Sequence, residues 1–516
     1  MRKGSITPFC AMALMLIASL LFALLESARF CGLNRYATLK SETVMDSVCA
    51  EYQPYLWQEY GLLFLDGAYG TEQFSMGYVM ERFGQFAEAN CETTEWLQDW
   101  FGLDLFRLKK SEVLLEGYAL ATDDNGELFL NYVAQRAKEG LPLGMAEEVY
   151  RQYQKAVALE DEYGTALATV AEAQETVAEV KSQWVMRQEE ELNRNEEEKK
   201  EYPKREASEP ATQIMVPDTS AVDEILDSVS RMKSSGTLHL ILGDLSGISA
   251  NISKPDSPLE TRSKEVGTMY LKAEKDWYQK LLVLNYLETY FSNYLMPRDT
   301  HFLRYEMEYV LCGKESEWEN LNGTLDRMLL LREAANVAYL LKDAERMAQA
   351  EELAGMIGLL AGGNYGVVKA VQIGLISAWA YAESVLDVRA LVQGKEIPLI
   401  KQATEWTTGI DDIFSALDKQ IEARPCASGM NYTDYLKQLL FLTPNQKLSY
   451  RMMEVMEIGM QSRPEYMNCR MDHMIVMLRL KAAFESRPVF SALVSIGDVY
   501  DGDYIFKKEI ERSYVP

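Results

Sequence analysis

The sequence predicts a predominantly helical α+β protein: an N-terminal transmembrane helix, a helical body with a small antiparallel sheet, and a long helical hairpin inserted into that body. Three observations predict it. The run from Ser5 to Leu25 carries no charge and is closed by Glu26, and about twenty such residues are what a helix needs to cross the hydrocarbon of a bilayer. Over most of the remaining chain apolar residues recur at steps of three and four, the period of an amphipathic helix, while a few separated stretches alternate with the period of a strand. From Gly144 to Pro258 the composition changes to long, charged, Ala- and Glu-rich sequence interrupted by Pro203, Pro210 and Pro217.

The predicted organisation is a short tail over 1–5, a membrane anchor over 6–25, a first part of the body over 26–143, the inserted hairpin with an acidic disordered segment over 144–258, and a second part of the body over 259–516. A chain of 516 residues exceeds one ordinary core. Asp and Glu total 78 against 52 Lys and Arg, a net charge of -26. Phosphate backbones need basic surface, so nucleic acid is excluded as a partner, and anionic headgroups repel such a body.

Arg2 and Lys3 precede the apolar run. An uncleaved signal anchor, a cleaved secretory signal and a pilin-like leader all share that pattern. Against cleavage near Ala28, Glu26 stands where a small side chain is wanted. A pilin-like peptidase would cut between Gly4 and Ser5, but Phe9 then occupies the position where such substrates usually carry Glu. The basic start favours a cytoplasmic N-terminus and an extracytoplasmic body, while Arg29, Arg35 and Lys40 weaken that bias. Glu26 and Arg29, one helical turn apart where the span ends, are the candidate membrane-exit pair.

The helix is expected to run on from Glu26 to near Pro54, with Ala37, Leu39, Val44, Met45 and Val48 as apolar positions. Further elements are a helix over 74–90, a strand hairpin over 105–122 turning at Lys109-Lys110-Ser111, a turn at Asp123–Gly126 and a helix over 127–138. In the insertion, Tyr153, Ala156, Tyr163, Leu167, Val170, Val177 and Trp184 form the seam of a coiled-coil-like helix, interrupted by Glu160, Gln174 and Lys181. Residues 187–209 have little to bury and read as frayed. Val222, Ile225, Leu226, Val229 and Met232 mark a short partner helix. Beyond it come a half-exposed strand over 303–311, helices over 315–342, 344–360, 367–391, 411–423, 432–442 and 446–461, and strands over 469–484 and 504–514. On the last strand Tyr504, Phe506, Ile510 and Tyr514 share a face.

No catalytic, cofactor-binding or metal-ligating motif stands out. The seven cysteines are scattered and include no C-x-x-C, and the three histidines are isolated. Gly362-Gly363-Asn364 lacks the ending of a phosphate loop and reads as a helix C-cap and turn. Glu405, Asp411, Asp412 and Asp418 read as helix-start acids opposing the dipole. Met356–Val385 is interrupted by Lys369 and Glu383 and reads as a buried helix rather than a second span.

Several phrases together are more specific: Lys3–Thr7, Leu24–Arg29, Met45–Val48, Glu59–Asp66, Phe302–Tyr309, Leu331–Asn336, Trp379–Ser384, Ile397–Lys401 before Trp406, Tyr432–Leu436 and Arg451–Glu454. On these the chain resembles a clostridial membrane-anchored family, domain-of-unknown-function family 5702, outside roughly 144–258. Members are similar at their N-termini to the minor-pilin-like TadE, TadF and TadG proteins. The resemblance implies a single-pass cell-membrane protein with envelope or pilus-assembly partners, and it brings no catalytic residue. The expected function is therefore structural or assembly work beside a Tad/Flp-type pilus or secretion system. The alternative is an extracytoplasmic enzyme using paired carboxylates on wall or envelope polymer.

Overall fold

The structure, a computed structural model, describes residues 6–91, 106, 108–140, 142–163, 166–201, 218–270, 276–411, 413, 421–426, 428–490 and 502–515. In chain order the elements are α1 (Ile6–Cys49), α2 (Pro54–Tyr60), β1 (Leu65–Asp66), α3 (Met76–Cys91), β2 (Lys109–Leu120), α4 (Glu127–Ala137), α5 (Leu143–Tyr163), α6 (Ala166–Glu201), α7 (Ser220–Ser234) and α8 (Thr237–Leu242). They continue as α9 (Trp277–Tyr290), α10 (Glu306–Cys312), α11 (Glu317–Leu340), α12 (Ala344–Leu360), α13 (Tyr365–Val392), α14 (Tyr432–Leu442), α15 (Asn445–Gln461), β3 (Met474–Ser486) and β4 (Tyr504–Ser513). The chain divides into two compact units, residues 1–138 with 256–279 and 452–516, and residues 139–255 with 280–451.

The first unit is built on α1 and the sheet. α1 is continuous over 44 residues and changes character at Glu26. Before it the side chains are uncharged, mostly apolar on all sides and largely exposed. After it Leu33, Ala37, Val44, Met45 and Val48 make one buried stripe at helical spacing. That stripe packs with Val79, Phe83 and Ala87 of α3 and with the inner face of the sheet. Elsewhere in this unit Gln53 caps α2 ahead of Pro54, and Gly61 ends it in the left-handed region.

The sheet has four strands, all antiparallel, gathered from distant pieces. β3 is central: β2 runs along one edge, and β1 and β4 share the other. β4 sets Phe506 opposite Phe484 and Ile510 opposite Leu480, all buried, with Tyr504 and Tyr514 packed against the same core. On the same face Lys508 and Arg512 reach Asn34 and Asp46 of α1; the alternate residues Ile505, Lys507, Glu509 and Glu511 face outward, where Arg479 pairs with Glu511, and charges on an edge strand discourage pairing with another chain.

One expectation changes here. Lys109-Lys110-Ser111 is no hairpin turn. Lys109 and Lys110 stand in the ladder opposite Glu485 and Phe484, and a register shift after Lys110 absorbs the irregularity, so β2 is one strand. The 123–126 turn forms as expected, with positive φ at Asp124, Asn125 and Gly126, and Asp123 accepts from the Leu120 and Gly267 amides.

In the second unit α13 is the core helix, buried from Gly374 to Leu391. The turn before it uses Gly362 and Gly363 at positive φ, and Asn364 caps it. Ser316 with Glu319, and Asn431 with Asp434, form capping boxes on α11 and α14. The predicted strand over 303–311 is instead the short helix α10, because the polar half of the alternation is not exposed. Glu306 takes the Ser292 amide at 2.8 Å and Glu308 the Tyr294 amide at 2.9 Å. Both carboxylates are buried, and burial pushes that of Glu308 up to about 7.

The stretch set apart by composition belongs to this unit. α6 runs along α13 so closely that a Cβ on Gly374 would lie 2.1 Å from the Ala173 Cβ. The seam residues Tyr153, Ala156, Val170 and Val177 are buried. α7 is the expected partner of α6: Ser230 donates to Gln174 at 2.8 Å and Lys181 pairs with Asp223. Against the fraying expected over 187–209, α6 is helical through Glu201; 202–217 lie outside the described residues. So does most of the helix expected over 411–423, including Asp412 and Asp418.

Candidate functional site

The exit pair lies in the first unit and is a buried clasp rather than a surface pair. Glu26 and Arg29 are only 5% and 6% exposed and pair at 2.8 Å. Arg29 also donates to the Ser486 hydroxyl at 2.7 Å, at the end of β3. The second Glu26 oxygen accepts the backbone N–H groups of Val489, at 3.1 Å, and Phe490. Burial pushes the Glu26 carboxyl up, but the Phe490 amide, Arg29 and the Val489 amide outweigh it and hold it below the usual glutamate range. One turn earlier Phe22 stacks on Phe490, ring centroids 6.3 Å apart, and one turn later Phe30 packs against Tyr504 and Phe506. The other predicted positions, Gly4 and Ser5, lie outside the described residues.

A second charged centre, unassigned in the sequence, lies inside the second unit. Asp387 accepts from Arg332 at 2.9 and 3.1 Å, from Asn336 at 3.0 Å and from Lys401 at 2.7 Å. Lys401 also pairs with Glu383, whose oxygens take the Thr407 and Thr408 amides and the Thr408 hydroxyl. Arg332 completes its fork on the carbonyls of Pro398 and Leu399 and on the Tyr435 hydroxyl. All four charged side chains are fully buried. Burial alone would raise the Asp387 carboxyl, but Arg332 and Lys401 hold it below the ordinary aspartate range. Burial opposes the Lys401 charge, yet Asp387 and Glu383 keep its ammonium above its usual value.

This arrangement is balanced, two cations against two anions, and closed to solvent. Its bonds fasten α11 to α13 and to the segment 397–408, so it offers no group to a substrate. The spacing held one clue: Glu383 and Asp387 are four apart in an otherwise apolar helix, as are Arg332 and Asn336, and such pairs share a helix face.

Two surface cavities are present in the second unit. One of about 420 Å³ lies between 246–251 and 297–304, with Asp299 as its one acidic lining residue. The other, of about 400 Å³, is lined by leucines with Arg327, Lys447 and Arg451 and contains no acid. Neither presents two facing carboxylates. Among the described residues no group of three or more His, Cys, Asp and Glu is arranged to hold a metal ion.

A sequence model described as a family of unknown function, DUF5702, matches residues 217–486. The chain belongs to this family. No curated protein and no solved structure matches it. The DUF5702 match contains the whole buried ion network, and its last residue is Ser486, the partner of Arg29. It begins inside the stretch 144–258 and leaves the N-terminal helix outside.

Proposed function

We propose that this DUF5702 protein is a non-enzymatic, single-pass envelope protein with its body outside the cytoplasm, a structural or assembly component beside a Tad/Flp-type pilus or secretion apparatus. The observation that carries the proposal is α1. Residues 6–25, uncharged, mostly apolar and largely exposed, continue without a break into a helix whose next face is part of the body's core. Such a helix transmits position from the bilayer to the body, which is what an assembly component requires. The sealed ion network supports a structural role as well, since its charges are spent on holding helices. The enzymatic alternative draws no comparable support from either cavity.

The test is purification of the full chain from native membranes after mild crosslinking, with identification of what accompanies it. Enrichment of pilus- or secretion-assembly proteins is expected; their absence from repeated preparations sinks the assembly role. Topology is tested separately by Glu197→Cys and a membrane-impermeant thiol reagent on intact cells. Labelling above the parent chain's background before lysis is expected, and labelling only after lysis reverses the orientation. Sequencing the mature N-terminus decides between a retained anchor, a chain starting at Ser5, and a chain starting beyond Ala28.

A further inference from the structure

We infer that the end of the sheet formed by Ser486–Phe490 and Tyr504–Ile505 is seated in the lipid interface, so that the first unit rests on the bilayer instead of standing off from it on α1. This rests on the reading of residues 6–25 as a membrane span. Depth is measured along α1 itself. Phe22 lies four residues before Glu26, about 6 Å deeper at ~1.5 Å per residue, and inside the apolar run. The Phe490 ring stacked on it, at 6.3 Å and with planes 17° apart, shares that depth. Phe30, four residues after Glu26, meets Tyr504 at 5.2 Å, about 6 Å further out. The patch therefore covers about 12 Å along the helix, against an interfacial layer of about 5–8 Å per leaflet. One end reaches the hydrocarbon edge and the other lies among the headgroups.

The clasp fixes this placement. Glu26 holds the Val489 and Phe490 amides and Arg29 holds Ser486, so the segment cannot swing away from the helix without unpairing buried charges. The same bonds remove an ion pair from lipid contact at the depth where bare charge is costly. The surface suits an interface. Phe30 is 43% and Ile505 57% exposed, Tyr504 is amphipathic, and the Arg487 side chain, 85% exposed, can reach a headgroup. Because the chain's net charge of -26 opposes anionic lipid, apolar insertion must dominate.

The experiment uses the full chain in phosphatidylcholine vesicles, with photo-reactive benzoylphenylalanine placed singly at Leu16, Ile505 or Leu39, all exposed. Leu16 reports the span, Ile505 the seating, and Leu39 a point about 21 Å beyond Leu25 along α1. Lipid adducts are expected at Leu16 and Ile505 and only background at Leu39. The Ile505 adduct should persist in about 1 M salt, where the Debye length is ~3 Å. Adducts at Leu16 but not at Ile505 overturn the seating and leave the span intact. No lipid adduct at Leu16 overturns the span, and the seating with it. In native membranes, a protein adduct replacing the lipid adduct at Ile505 makes this face a protein-docking surface and overturns the inference.

Discussion

The two buried charge centres, the network inside the second unit and the clasp on α1, solve the same problem with different partners. In the network charge answers charge: Arg332 and Lys401 against Glu383 and Asp387, with amide and hydroxyl donors filling the remaining sites. In the clasp the ion pair is completed by backbone and a hydroxyl, as Glu26 takes two N–H groups and Arg29 donates to Ser486. A desolvated charge costs several kcal/mol unless every lone pair and proton is used. The network uses them to join two helices and a loop. The clasp uses them to hold the end of a strand against the helix that carries the apolar run. One is interior fastening; the other governs where the body meets its anchor.

The largest effect should come from breaking the network. Lys401→Met leaves Glu383 and Asp387 facing one Arg332, and an uncompensated buried charge costs about 3–5 kcal/mol. The second unit should melt far earlier or be cleaved rapidly by protease, with the first unit less affected. Adding Glu383→Gln restores charge balance and should recover part of the loss, a coupling that a double-mutant cycle reads directly. An unchanged melt in Lys401→Met would mean that the side chain leaves its site at no cost.

The clasp should fail more locally. Glu26→Ala releases the Val489 and Phe490 amides and takes from the buried Arg29 the carboxylate it pairs with. A loss of about 1–3 kcal/mol, the cost of unsatisfied buried groups, is expected at the end of β3. Hydrogen exchange at Val489 and Phe490 should accelerate while amides in the middle of β3 stay protected. Uniform acceleration along β3 would make the clasp part of the sheet's global stability and erase the distinction from the network.

How far these centres are legible in the sequence follows from the same contrast. The apolar run, the long helix after it and most of α11 to α15 follow from periodicity and capping residues, which are local. Glu26 and Arg29 can be paired by spacing. Their partners at 486–490 cannot, because nothing near Phe490 names Glu26 as the acceptor of its amide. Glu383 is visible as an interruption of an apolar helix and as a face-mate of Asp387, and its meaning depends on Lys401, supplied by a loop. The strand expected over 303–311 failed for a related reason. Glutamates at alternate positions signal a solvated face, but here Glu306, Glu308 and Glu317 are turned inward to accept backbone amides. Composition marks 144–258 as charged and helix-forming, and helices form there, while the close packing of α6 on Gly374 depends on a glycine some two hundred residues away.

The smallest effect concerns a carboxyl that neither arrangement serves. Glu333 is buried, with the Lys233 ammonium 4.0 Å away, and burial pushes its carboxyl up to about 7, only partly offset by Lys233. Its folded pKa thus lies above the ordinary 4.5, so between 4.5 and about 7 the folded state binds the proton that the unfolded state has released. Stability must therefore fall as pH rises through that window. Below it both states are protonated and the cost is absent; above it the cost is complete. Glu333→Gln should flatten this slope and raise the melting temperature of the second unit at pH above 7, by about 1 kcal/mol in stability. A residual slope belongs to Glu308, pushed up to about 7 by its own burial. Melting curves across the window, wild type against Glu333→Gln, decide it. Parallel curves would show that Glu333 is ionised throughout and that Lys233 serves it as fully as Lys401 serves Glu383.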